Sequence, residues 1–371
     1  MKQSIAIITQ DYKPATGGIA VYWHELFSRL PHNKYTLIAP SAAEADDGLD
    51  VMRIPFFYKL MWPHWLRLLF TLVRLQRKEH FMHMIAGQVL PVGTVLFIGK
   101  SLGMLPSYSV SCHSMDISHI SGWKRGLAKL ILSSASRVIV NSNYTKNIAV
   151  DEYGISDTKV HAVTPAPSHV PSTSEVVADK NVLTLLSVGR LVKRKGVDTV
   201  ISILPDLYAE FPDLRYVIVG EGKDKKYLQS LVDNYIPQDK RSQVVFTGRL
   251  SDKDLLDYYR DASIFVLPSR NIKGDVEGFG IVNLEASAYG LPVVVGKDGG
   301  VPETVIHNDT GVLVDGNNKQ EVKDVILDLL KNSSKRSAMG NRGRQYALDF
   351  SWDKSASKLD SIYDINNSSN I

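Results

Sequence analysis

Residues 277–285, Glu-Gly-Phe-Gly-Ile-Val-Asn-Leu-Glu, place one carboxylate before a glycine-rich turn and a second inside the helix that the turn opens. Free backbone N–H groups at a helix N-terminus attract phosphate, and flanking carboxylates suit hydroxyl groups. A ligand carrying both, such as a nucleotide-linked sugar, would engage Glu277, Glu285 and the amides between them. Alone, the segment fits equally the glycine turn and acidic first turn of an ordinary surface helix.

A second cluster follows a strand-like run. Ser187-Val-Gly-Arg190-Leu-Val-Lys-Arg-Lys195-Gly196 puts Arg190 and Lys195 just beyond a strand end. A diphosphate needs cations there, because negative charge grows on the leaving group; a solvated basic turn is the alternative. Gly17-Gly18 follows the first strand and lets a ligand approach the backbone closely. Its loop lacks the G-x-G-x-x-G spacing, which disfavours a nicotinamide cofactor. Gly299-Gly300-Val-Pro302-Glu303 forms another turn, with Pro302 near a helix start. His113, in Ser111-Cys-His-Ser-Met-Asp116, follows the strand-like stretch 107–112 and has Asp116 close behind. No His/Cys/Asp cluster shows metal-ligand spacing, and neither a Gly-x-Ser-x-Gly elbow nor a P-loop occurs. Residues 62–78 read as an amphipathic helix with Arg67, Arg74, Arg77 and Lys78 near one face and aromatics at its start. Such a helix suits an anionic bilayer or its own sheet.

These residues need a frame. Short apolar runs at 4–9, 35–39, 136–141, 182–188, 215–219, 243–247, 263–267 and 292–295 alternate with helical stretches, the pattern of parallel α/β units. The prolines and Ser/Thr of 164–180 read as a linker. At 371 residues the chain exceeds one ordinary core. The boundaries that follow are a Rossmann-like domain 1–165, a linker 166–180, a second Rossmann-like domain 181–350, and a terminal segment 351–371. Two such halves imply a cleft, with ligands at the carboxyl ends of the strands.

Composition narrows the class. Cys112 is the single cysteine, which precludes an intramolecular disulfide and fits a reducing compartment. The N-terminal apolar run is too short for a signal peptide, and no run reaches the ~18–20 residues of a membrane span. A cytoplasmic protein is expected. The net charge of +4 is uneven: residues 1–165 hold 17 Lys+Arg against 11 Asp+Glu. That excess suits an anionic surface but is too scattered for a nucleic-acid protein.

Together G-R-L-x-x-x-K-G, E-G-F-G-I-V-x-L-E-A, G-G-x-P-E and T-G-x-L-V occur in an order that resembles glycosyltransferase family 4, the GT-B group of retaining sugar transferases, over nearly the whole chain. The resemblance implies two Rossmann-like domains facing a deep cleft. It implies that Arg190 and Lys195 hold the donor phosphates and that Glu285 binds ribose hydroxyls. Glu277 would bind the transferred sugar with the amides of Phe279 and Gly280. Ile281 and Val282 would add phosphate contacts. Gly17-Gly18 matches the family's N-terminal glycine loop, and His113 matches a histidine near the donor sugar and acceptor. The crossover Thr164-Pro-Ala-Pro167 and the motif Cys-His-Ser-Met-Asp depart from the family's commoner forms, and the insertion-like Ile272–Val276 before Glu277 is expected to shape sugar selection.

The activity implied is retaining, metal-independent hexosyl transfer from a UDP- or GDP-sugar to a lipid-linked or saccharide acceptor of cell-surface polysaccharide or lipopolysaccharide, without a resident cofactor. Peripheral contact of 62–78 with the inner face of the membrane belongs to that picture. A soluble enzyme making a small glycoside or storage glucan, and a non-catalytic sugar-nucleotide binder, are the alternatives.

Overall fold

The structure, a computed structural model, describes residues 4–13, 17–41, 48–58, 62–171 and 182–364. Most of the expected linker (172–180) and the tail beyond Asp364 lie outside the described residues. The chain divides into two compact units, Met1–Pro165 with Trp352–Ile371, and Ala166–Ser351.

In the first unit β1 (Ile5–Ile8), β2 (Tyr35–Pro40), β3 (Val51–Ile54), β4 (His83–Ala86), β5 (Ser107–Cys112), β6 (Val138–Val140) and β7 (Val160–Ala162) form a parallel sheet. Their order is β3-β2-β1-β4-β5-β6-β7. In the second unit β8 (Thr184–Val188), β9 (Arg215–Val219), β10 (Val244–Gly248), β11 (Ile264–Leu267), β12 (Val293–Gly296) and β13 (Gly311–Val314) form another. Its order is β10-β9-β8-β11-β12-β13. Both sheets therefore reverse direction of winding once, between β1 and β4 and between β8 and β11. In doubly wound sheets that switch point opens a crevice at the carboxyl ends of the strands.

Buried alternation explains why these runs become strands. Successive side chains of a strand point to opposite faces. Leu185, Tyr216, Ile218, Ile264 and Val266 join the core on one face of the second sheet. Their neighbours Leu186, Val217, Val219, Phe265 and Leu267 join that on the other. A sheet covered on both faces carries near-continuous apolar strands, as here.

The helix Leu66–Glu79 begins four residues later than the aromatic start at Trp62 suggests. Pro63 keeps Trp62 out of the helix, because the residue before a proline is pushed out of the helical region. The helices Leu66–Glu79, Thr94–Ser101 and Trp123–Ser134 pack in a row. The terminal helix Trp352–Ile362 lies against the helix Gly18–Phe27. It is held there by Lys34 on Asp360 at 2.6 Å, by the Tyr35 hydroxyl on the same carboxylate at 2.9 Å, and by Ser355 donating to the Thr164 carbonyl. No helix among the described residues is long and apolar enough to cross a membrane.

Candidate active site

In the second unit the loop after β8 and the loop after β11 meet at the switch point. The first turns through Lys193–Lys195 as a tight 3-10 segment, and the carbonyl of Arg194 accepts the Arg270 amide at 2.8 Å. Of three successive cations, Arg194 and Lys195 turn inward and are buried, whereas Lys193 and Arg190 are exposed. Lys195 Nζ contacts Glu277 Oε2, and Arg194 Nη1 reaches the same oxygen at 2.5 Å. Arg194 Nε lies 3.0 Å from Asp275 Oδ1.

Burial alone would push the Glu277 carboxyl up; the charges of Lys195 and then Arg194, and their hydrogen bonds, overcome this and hold it at about 2. Glu277 is therefore a fixed anion and a weak base. Lys195 is lowered from its ordinary value by burial, which Glu277 opposes and the charges of Arg194 and Arg190 reinforce. Three cations thus stand around a lesser anionic charge, an arrangement that favours an incoming anion.

The helix Ile281–Ala288 starts on Gly280 at φ 90° and aims the amides of Ile281 and Val282 outward from its first turn. Its entry loop is pinned by Gly299-Gly300. A Cβ on Gly300 would come 2.2 Å from the Gly278 carbonyl, and one on Gly299 2.2 Å from the Glu277 carbonyl. Only glycine allows the two loops this approach, and the Gly300 amide donates to the Glu277 carbonyl at 2.9 Å. Phe279 is buried edge-on against Phe350, which anchors the loop from behind.

On the same helix Glu285 accepts a hydrogen bond from the Tyr259 hydroxyl at 2.9 Å. Tyr259 is itself buried, stacked on Tyr289 at 5.6 Å. Burial raises the Glu285 carboxyl; the Tyr259 bond lowers it and Asp252 raises it further. No cation is paired with this carboxylate among the described ion pairs, so hydroxyl donors are its natural complement.

The first unit builds its own constellation at the ends of β1, β4 and β5. Gln88 donates to Asp11 Oδ2 at 2.9 Å and to Thr9 Oγ1 at 3.1 Å, tying the β4 loop to the β1 loop. His113 is buried, edge-on to Tyr22 at 5.2 Å, with its amide on Asp116 Oδ2 at 3.0 Å. Burial lowers the imidazole to about 4, against a backbone hydrogen bond to Gly87 that raises it. It is neutral at physiological pH, and its buried Nε2 has no partner among the described residues. With Nδ1–H on the Gly87 carbonyl, Nε2 is an acceptor awaiting a hydroxyl. Gly17 and Gly18 are exposed, and a Cβ on either would meet nothing within 4 Å. Packing does not require glycine there, unlike Gly299-Gly300.

Asp116 is raised to about 7 by burial, opposed by the His113 amide and reinforced by Asp11. A carboxyl raised on folding contributes stability at low pH that is lost as pH rises through its folded value. Asp116→Asn is therefore expected to flatten the fall in melting temperature between about pH 4 and pH 7, checked by calorimetry across that range. An unaltered slope would remove Asp116 from the account.

Beside this edge, a cavity of about 490 Å³ is lined by Phe57, Tyr58, Trp62, Trp65, His64 and the prolines Pro63 and Pro91. His64 Nδ1 donates to the Tyr58 carbonyl at 2.8 Å, which leaves Nε2 as an acceptor. Arg67 sits over the Tyr58 ring at 5.7 Å. Trp62 is 83% exposed.

The structure thus brings Lys195, Glu277, Phe279, Gly280, Ile281, Val282 and Glu285 onto adjoining loops and one helix of the second unit. Arg190 borders them, and Gly17, Gly18 and His113 lie on the carboxyl edge of the first sheet. Arg194 and Tyr259 escape sequence reasoning, and Asp275 enters it only as part of the insertion-like segment Ile272–Val276. Nothing in the run Lys193-Arg194-Lys195 distinguishes the two cations that turn inward. Among the described residues no cluster of His, Cys, Asp or Glu could hold a metal ion.

Comparison with known proteins follows these two units. Residues 173–346 match the family model described as Glycosyl transferases group 1, and residues 16–166 that described as Glycosyltransferase Family 4. A GDP-mannose-dependent alpha-(1-6)-phosphatidylinositol monomannoside mannosyltransferase of Mycolicibacterium smegmatis is 31% identical over 92% of this chain and 93% of its own. The GDP-mannose-dependent monoacylated alpha-(1-6)-phosphatidylinositol monomannoside mannosyltransferase of Corynebacterium glutamicum is 28% identical over 96% of each. Among solved structures, Anabaena HepE in complex with UDP superposes with a TM-score of 0.79 at 19% identity, covering 97% of this chain and 99% of that one. Sucrose-phosphate synthase from Thermosynechococcus elongatus gives 0.77 at 21%, covering 97% and 98%. At these identities the structures show a shared fold.

Proposed function

The chain belongs to glycosyltransferase family 4, and we propose that it moves mannose, with retention of configuration, from GDP-mannose to a lipid-linked glycan acceptor at an anionic membrane surface. The fold is GT-B and the enzyme is a glycosyltransferase. Mannose and its guanosine carrier rest on the names of the relatives. The observation that carries the donor half is the cation cluster around Glu277 at the switch point of the second sheet.

Lys195 and Arg190 neutralise the diphosphate and stabilise it as it leaves, with the Ile281 and Val282 amides adding hydrogen bonds. Glu285 accepts ribose hydroxyls beside Tyr259. Glu277 and the amides of Phe279 and Gly280 hold the sugar. A carboxylate held at about 2 by two cations is too weak a base to take the acceptor's proton at neutral pH. That proton passes instead to an oxygen of the departing phosphate while the acceptor oxygen bonds to the anomeric carbon from the same face. The anomeric carbon–phosphate bond breaks in the same step, and retention follows without an enzyme nucleophile. Protein cations supply the counter-charge, and the reaction is proposed to run without a metal. His113 Nε2 accepts a hydroxyl of a reacting sugar, and Gly17-Gly18 leaves its backbone open to the ligand.

Acceptor binding is assigned to the first unit. The aromatic cavity of Phe57, Tyr58, Trp62 and Trp65 suits the C–H face of a sugar or cyclitol ring, with His64 Nε2 for a hydroxyl. The helix Leu66–Glu79 leads away from this cavity and exposes Phe70, Arg74, Arg77 and Lys78. In the same row the helix Trp123–Ser134 exposes Trp123, Lys124 and Lys129. Exposed aromatics interleaved with cations suit the interface of an anionic bilayer, at about 1 kcal/mol per cation near the surface. The enzyme is accordingly proposed to work as a peripheral protein at the inner face of the cell membrane. Arg67→Ala/Arg74→Ala/Arg77→Ala is expected to weaken binding to phosphatidylglycerol vesicles at least tenfold in a sedimentation assay, with GDP binding unchanged. Equal vesicle binding would remove the membrane from this reading. Neither a storage-glucan enzyme nor a non-catalytic binder is favoured, since Arg190, Lys195, Glu277 and Glu285 are in place and the relatives named act on lipid-linked mannosides.

A further inference from the structure

Lys195 and Arg194 both meet Glu277 on one oxygen, Oε2, but only Lys195 faces a competing role. If the donor reading holds, on which this inference rests, an arriving diphosphate draws the lysine ammonium to itself. A lysine is a flexible point charge that can turn between anions; an arginine fork holds planar partners in place. We infer that Arg194, braced by Asp275, is a positioning residue that keeps Glu277 aimed at the donor sugar once Lys195 has left it for the phosphates.

The geometry supports this division of labour. Arg194 is 5% exposed in its side chain and spans two carboxylates, Nε toward Asp275 and Nη1 toward Glu277. Its backbone carbonyl is fixed by the Arg270 amide. Asp275 is held as firmly. It closes a two-residue hairpin with Ile272, through amide–carbonyl bonds of 3.0 and 3.1 Å, over Lys273 at φ 51° and Gly274 at φ 87°. The Gly274 amide donates to the Asn271 side chain at 2.8 Å, and the Asn271 amide to Asp298 at 2.9 Å. The inserted segment Ile272–Val276 therefore supplies the brace. Because both cations occupy Oε2, Oε1 is the oxygen that can receive a sugar hydroxyl, and Glu277 keeps 16% of its side chain accessible. Without Arg194 the carboxylate would either follow Lys195 or rotate, and the sugar would lose its orienting acceptor.

The test separates nucleotide from sugar. Titration calorimetry with GDP and with GDP-mannose, together with steady-state transfer kinetics, is run on wild type, Arg194→Lys, Arg194→Met and Asp275→Asn. The expected result is a GDP affinity that falls far less than GDP-mannose kcat/KM in every variant that folds. GDP-mannose kcat/KM should fall ~10–100-fold in Arg194→Met, which loses the charge-assisted hydrogen bond to Glu277, and in Asp275→Asn, which loses the ion pair behind it. Discrimination between GDP-mannose and GDP-glucose should narrow with it. Arg194→Lys restores charge but reaches only one carboxylate, so it recovers part of the rate. Asp275→Asn removes the brace without altering the arginine itself and serves where the arginine variants misfold. Equal losses of GDP and GDP-mannose affinity, or unchanged transfer kinetics, would overturn the clamp while leaving the donor site standing. A wild type that binds neither ligand would overturn the donor reading and the clamp with it.

Discussion

Lys195→Ala is expected to lower kcat ~10²–10³-fold while weakening GDP-mannose binding only about tenfold. The split follows from where charge develops. In the ground state the diphosphate charge is shared with Arg190, the amides at the start of the helix Ile281–Ala288 and water. In the transition state charge accumulates on the leaving oxygen, and a buried ammonium aimed at it is worth far more than one in water. Removing one such preorganised donor typically costs 10²–10³ in rate. Lys195 is buried and its ammonium is lowered by that burial, a state an arriving diphosphate relieves. Interactions that strengthen as the bond breaks act on kcat and not merely on affinity. Arg194 remains on Glu277 in the variant, so the loop keeps its counter-ion and the melting temperature should change little. A Lys195→Ala enzyme retaining more than a tenth of wild-type kcat, measured at saturating donor, would contradict the assignment.

Glu285→Gln is expected to act in opposite directions on binding and stability. Ribose hydroxyls donating to a carboxylate form charge-assisted bonds worth more than neutral ones. Their loss should raise the Kd for GDP ~10–100-fold in calorimetry. Burial raises the Glu285 carboxyl above its unfolded value. A raised carboxyl favours folding below its unfolded pKa and costs stability as pH climbs through the folded one. Once ionised, Glu285 is therefore a burden on the empty enzyme. The neutral glutamine still accepts from Tyr259, so the unliganded variant should melt no lower than wild type, and higher once pH passes the raised value. The same sign makes wild-type GDP affinity fall as pH drops through the raised value, a dependence the variant should lack. A variant that loses stability and keeps affinity would show Glu285 to be structural.

How far the chain could be read without its structure depends on what each segment must signal alone. The strands β2, β8, β9, β10, β11 and β12 are apolar runs bounded by glycine or acidic turns, and their positions are legible to within about two residues. β4 was not separable, since residues 84–98 form one apolar run in which strand His83–Ala86 passes into helix Thr94–Ser101. Periodicity does not part a buried strand from a buried helix. His83 adds to the disguise, as a buried histidine between the Ser107 and Ser109 hydroxyls at 2.8 Å each. β3 and β7 are three or four residues long and only partly apolar.

At the candidate site, residues whose neighbours in sequence are also neighbours in space were visible. Gly280, Ile281, Val282 and Glu285 share one turn and helix, so the motif carries its own geometry. Partners from elsewhere were not. Tyr259 reaches Glu285 from a separate helix, and Asp275 faces Arg194 from a loop 81 positions away. The Arg194–Asp275 pairing depends on β8 and β11 being neighbours at the switch point, which only the sheet order reveals.

The central claim is retaining transfer from a nucleotide-linked mannose. It is tested most directly by incubating the enzyme with GDP-mannose and octyl α-mannopyranoside and determining the anomeric configuration of the disaccharide product by NMR. The account predicts an α-linked product formed from GDP-mannose in preference to UDP-glucose. A β-linked product, or transfer from the UDP-sugar alone, would contradict it.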